Sequence, residues 1–146
     1  MKKSATIITT VAVALCIAVL IGVSIAAPVL AELFAEYRGI GETVKNAIMI
    51  SYYICTVPAL ISLISLWRIL YNIRREEPFL PQNASLMALV SLCCIAVALV
   101  CTVCGFYYMP MWFISAAMLF VFLIVRVVRG CFIAAMYIKE ENSLTI

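Results

Sequence analysis

The stretch ASLMALVSLCCIAVALVCTVCGFYYMPMWFISAAMLFVFLIV, residues 84–125, holds no charged residue. It breaks near its middle at Gly105 and Pro110, two residues that punctuate helices and turns. About 20 residues at ~1.5 Å each cross a ~30 Å hydrocarbon core as a helix. The stretch therefore reads as two membrane spans joined by a tight hairpin, with spans at 84–109 and 111–138. The second of these continues past Arg126 and Arg129, which it must place near one interface.

Working outward, charges and turn residues delimit two more apolar runs, at 5–30 and 47–67. Of the 146 residues, 67% are hydrophobic and 12% are charged, against about 25% charged in an average soluble domain. The mean hydropathy is +1.20. A chain of this size has too little interior to hide that much apolar surface from water, so its solvent is lipid. The expected fold is all-α: a single transmembrane domain over residues 1–146, built as a four-helix bundle. The expected location is a cell membrane, multi-pass.

Orientation follows from the basic residues. Lys2, Lys3, Arg68, Arg74, Arg75, Arg126, Arg129 and Lys139 fall on one side, and Arg38 and Lys45 on the other. The excess places both termini and the 68–83 loop in the cytoplasm. The 31–46 loop and the 105–110 hairpin then face outward. Trp67, Tyr71 and Tyr137 are expected at the inner interface, and Tyr107, Tyr108 and Trp112 at the outer one, as an aromatic belt. The net charge of +3 marks a membrane side and is not a nucleic-acid footprint, so no direct nucleic-acid contact is expected. Lys2 and Lys3 before an apolar run also fit a signal peptide, with Val29-Leu30-Ala31 as a cleavage site. The run of about 26 residues is much longer than a usual signal core, and the first span is expected to stay.

Four cysteines, Cys93, Cys94, Cys101 and Cys104, lie in twelve residues. At about 100° per residue all four share one helix face. Met87, Val90, Cys94, Val97, Cys101, Cys104 and Tyr108 alternate spacings of three and four, the seam of a left-handed helix pair. Cysteine is small and among the most buried residue types, so this face is expected to pack against another helix. Four thiols along three turns of one helix cannot surround a single ion, and no metal or cofactor is expected. Cys101 and Cys104 form a C-x-x-C near the outer end of the span, where a membrane thiol oxidoreductase similar to vitamin K epoxide reductase carries one. Such an enzyme also needs a second, exposed pair, and residues 31–46 contain no cysteine. Redox catalysis by Cys101 and Cys104 is the lesser alternative, and the chain is expected not to be an enzyme.

The remaining candidates are polar. No acidic residue lies inside a span, which leaves a proton relay without carriers. Arg126 and Arg129 are candidates for a lipid or anion contact, or for pairing with Glu76 and Glu77. Glu32 and Glu36 form an i, i+4 carboxylate pair on a wet helix end. Pro28 and Pro58 are expected to kink or end their helices. In residues 67–86, WRILYNIRREEPFLPQNASL, the second helix runs out of the membrane as an amphipathic end, Pro78 stops it and Asn83 is expected to cap the third. This loop and the tail YIKEENSLTI form the candidate partner surface: Arg74, Arg75, Glu76, Glu77, Phe79, Glu140, Glu141, Leu144 and Ile146.

Those two segments also carry a resemblance. Arg68-Ile69-Leu70, Asn72-Ile73, Glu77-Pro78-Phe79, Asn83 and residues 139–146 resemble a bacterial family of small four-span membrane proteins catalogued as a domain of unknown function. Members often have an acidic residue where this chain has Ser143. The family is often encoded beside a small helix-turn-helix regulator, which implies a partner or a co-regulated gene of that kind and no reaction. The expectation is a membrane accessory or regulatory protein. The alternative is transport, or immunity to a membrane-active peptide, which four helices would perform only as a homo-oligomer.

Overall fold

The computed structural model describes residues 2–75 and 80–144, with backbone only for residues 2–5. It contains four helices in chain order: α1 (Lys2–Arg38), α2 (Glu42–Arg74), α3 (Pro81–Gly105) and α4 (Met111–Leu144). Each is long and apolar enough to cross a membrane. At ~1.5 Å per residue α3, with 25 residues, spans roughly 37 Å, close to the thickness of the hydrocarbon core. The 33 residues of α2 and the 34 of α4 reach about 50 Å, so both must project beyond it. Pro28 and Pro58 lie inside continuous α1 and α2 and end neither. In lipid, neighbouring helices and side chains re-satisfy the carbonyl that a proline leaves free.

The helices pack strictly in sequence. Among the described residues, α1 packs on α2, α2 on α3 and α3 on α4, and α1 closes on neither α3 nor α4 along its length. The bundle is open, with α1 and α4 as its two edges. Contact between α1 and the distant hairpin is made at one end, where the Phe34 and Tyr108 rings meet edge-on at 6.1 Å. Burial follows this order. α3 carries ten buried residues, whereas α4 has one, Ser115, and α2 has two, Ser65 and Ile69.

Two turns set the antiparallel course. Gly39 closes α1 with φ +63°, a left-handed conformation that glycine adopts without steric penalty, and Ile40 N–H donates back to Ala35 O at 3.0 Å. At the α3–α4 hairpin, the N–H groups of Tyr107 and Tyr108 both donate to Cys104 O at 3.0 Å. There the Trp112 indole covers Gly105 so closely that a Cβ on Gly105 would lie 2.5 Å from the ring. Glycine is required at that position by contact rather than by backbone angle.

α3 has two working faces. The cysteine seam faces α2: Cys94, Cys101 and Cys104 are buried, and Cys104 Sγ–H donates to Ala47 O at 3.9 Å. The neighbouring seam, three residues away along the helix and so about 60° around it, is one of small residues at seven-residue steps, Ala84, Ser91, Ala98 and Gly105, all buried. α4 lies along it in one register. Ser115 Oγ–H donates to Ala98 O at 3.0 Å and lies 2.7 Å from Thr102 Oγ1. Fourteen residues further on, Arg129 Nε–H donates to Ala84 O at 3.0 Å. Small residues let helix backbones approach closely in lipid, where there is no hydrophobic force between helices.

Candidate functional site at the basic end

The end of the bundle that carries the α2–α3 connection gathers most of the polar detail. α3 starts on Pro81, whose fixed φ and missing N–H suit the first helical position. Leu80 occupies the cap, so Asn83 is not the cap that the sequence suggests. With proline in place, Asn83 moves into the first turn, is fully buried, and its Oδ1 accepts from Asn72 Nδ2 at 2.7 Å. This amide pair ties the last turns of α2 to the first turn of α3. From the other side, Arg129 of α4 grips the same turn through Ala84 O. α3 is thereby held at this end by both neighbours.

The predicted contact residues divide as follows. Arg74 ends α2 and is exposed. Arg75 follows it, with its N–H donating to Tyr71 O at 3.2 Å and its guanidinium 4.9 Å from the centre of the Tyr71 ring. Glu140, Glu141 and Leu144 are exposed on the last turns of α4, and Ser143 Oγ–H donates to Glu140 O at 2.7 Å. Glu76, Glu77, Phe79 and Ile146, together with the Pro78 stop, lie outside the described residues. α4 runs about 22 Å past Arg129, so its tail extends as a helix beyond the start of α3. Arg126 is exposed, while Arg129 is half-buried and spends one donor on α3.

Sequence reasoning had no view of one feature. A cleft of about 360 Å³ lies between α2 and α3 at this end, lined by Trp67, Arg68, Tyr71, Asn72 and Gln82. Its signal in the sequence is the pair of i, i+4 steps Trp67–Tyr71 and Arg68–Asn72, which set two adjacent rows on one helix.

Elsewhere the thiols are free, all seven of them. Cys101 lies within hydrogen-bonding reach of Cys55 on α2 rather than being presented outward with Cys104. Among the described residues, no group of three or more cysteine and acidic side chains is placed to hold a metal ion. At the opposite end, Glu32, Glu36 and Glu42 line one shallow cleft, where Lys45 Nζ lies 3.8 Å from Glu42 Oε1.

Four long apolar helices in an open antiparallel row, with their connections at the two ends, define a multi-pass integral membrane protein. Residues 26–146 match the model of a family described as protein of unknown function (DUF2975), and the chain belongs to that family. The match begins inside α1 and includes the whole of α2, α3 and α4. No curated protein and no solved structure matches the chain.

Proposed function

We propose that this is a small accessory or regulatory protein of the bacterial cell membrane, which engages a cytoplasmic partner through the basic end. The observation that carries this reading is the shape of that end. α4 projects past the start of the short central α3, and the ends of α2 and α4 present Arg74, Arg75, Glu140, Glu141 and Leu144 to solvent. Leu144 is 82% exposed at the tip of a helix that is otherwise charged in its last turns. A helix with an apolar tip beyond a charged run is a form that docks into a groove on another protein. The excess of basic residues on this side supports a cytoplasmic position. The family resemblance implies a helix-turn-helix regulator as a partner or as the product of a co-regulated gene, and it is the first candidate for that partner.

The test is co-purification from native membranes in mild detergent, comparing the full chain with one truncated after Ile138. A cytoplasmic protein held by the full chain and lost on truncation supports the reading. Replacing Arg74 and Arg75 by glutamate should weaken the same capture. Equal capture by all three chains would sink it.

A further inference from the structure

We propose that the cleft between the last turns of α2 and the first turn of α3 binds the phosphate group of an anionic phospholipid. This inference does not rest on the partner reading, and only Arg75 belongs to both surfaces. Trp67 and Tyr71 form one wall, Arg68 and Asn72 the next, and Gln82 of α3 closes the far side. Asn72 is fixed by its bond to buried Asn83, so the wall is held in shape from behind. Arg68 has no hydrogen bond or ion pair with any described residue, and no carboxylate lines the cleft among those residues. The Arg75 guanidinium, stacked over Tyr71, adds a second positive charge at the rim.

The chemistry of these groups converges on a phosphate. A guanidinium binds phosphate oxygens through two parallel N–H bonds. Trp and Tyr prefer the headgroup level, with the ring in the apolar layer and the N–H or O–H toward water. A water molecule takes up ~30 Å³, so about 360 Å³ is far more room than a bare ion fills. A lipid, rather than a free anion, is favoured by the surface leading away from the cleft. Ile64, one turn deeper on the same face of α2 as Trp67 and Arg68, is 53% exposed and continues the path along an apolar helix. An acyl chain can lie there while the headgroup occupies the polar part.

Native mass spectrometry of the full chain in detergent tests this, with phosphatidylglycerol and phosphatidylcholine of matched chains as probes. Wild type should retain phosphatidylglycerol over phosphatidylcholine. Arg68→Gln should lower that retention about five- to tenfold, the loss of a charge-assisted bidentate contact. Arg68→Lys should keep part of it, and Arg38→Gln, at the opposite end, should keep all of it. Thermal unfolding of the Arg68 variants should match wild type, because the side chain is exposed. Equal retention of the two lipids, or equal loss in the Arg68 and Arg38 variants, would overturn the proposal. So would displacement of phosphatidylglycerol by millimolar inorganic phosphate, which would make this a site for free anions.

Discussion

At the scale of single residues, two positions carry more than their size suggests. Gly105 leaves room for the Trp112 ring, and Phe106 meets the same ring edge-on at 5.4 Å. Gly105→Ala should push the indole away and destabilise the hairpin by about 1–3 kcal/mol, the usual range for overpacking. Gly130→Ala, with open space around its Cβ, should be neutral or raise stability by up to ~1 kcal/mol through helix propensity. Thermal unfolding in micelles of both variants distinguishes a contact effect from a propensity effect. Asn83 is the second position. Asn83→Ala strips Asn72 of its acceptor and leaves a cavity at a fully buried site, for an expected loss of about 1–3 kcal/mol in the same assay. Local sequence rules misplace Asn83 because they see a good capping residue before an apolar run. Pro81, two residues earlier, is equally suited to open the helix, and it wins because a buried amide partner waits on α2.

At the scale of elements, α3 decides the architecture, and half of its role was legible. The four spans and the burial of the cysteine face followed from charge gaps and helical spacing. The spacing rule works for Cys94, Cys101 and Cys104 because cysteine stands out from its neighbours. The neighbouring seam of Ala84, Ser91, Ala98 and Gly105 has the same heptad period but different small residues at each step, scattered among other alanines and valines. Nothing in composition alone separates it, and only the α4 register reveals it. The hydroxyl contact between Thr102 and Ser115 belongs to this seam. A double-mutant cycle of Thr102→Val and Ser115→Ala should give a coupling of roughly 0.6 kcal/mol and no more than about 1.7, as interhelical bonds in bilayers do. Zero coupling, read by unfolding in mixed micelles, would mean that the two helices pack without it. The Arg68 cleft was illegible for a related reason. It needs Gln82, whose approach to α2 depends on where the α2–α3 connection turns back.

At the scale of the whole molecule, all four spans run antiparallel, so both ends of the chain lie on the side of the α2–α3 connection. The basic excess predicts a cytoplasmic position for that side. In a chain with its seven native cysteines replaced, Ser143→Cys should resist a membrane-impermeant maleimide applied to intact cells, and Thr43→Cys should react. The reverse pattern would invert the topology and move both the lipid cleft and the docking end to the outer face. The open row has a geometric sequel. Its two lateral margins, one formed by α1 and one by α4, are different surfaces. If copies meet like margin to like margin, the contact is self-complementary, and two copies complete it. If the α1 margin of one copy meets the α4 margin of the next, each addition leaves a fresh margin free. Growth then stops only when the turn per subunit closes a ring, so the number of subunits would be set by the curvature of the row.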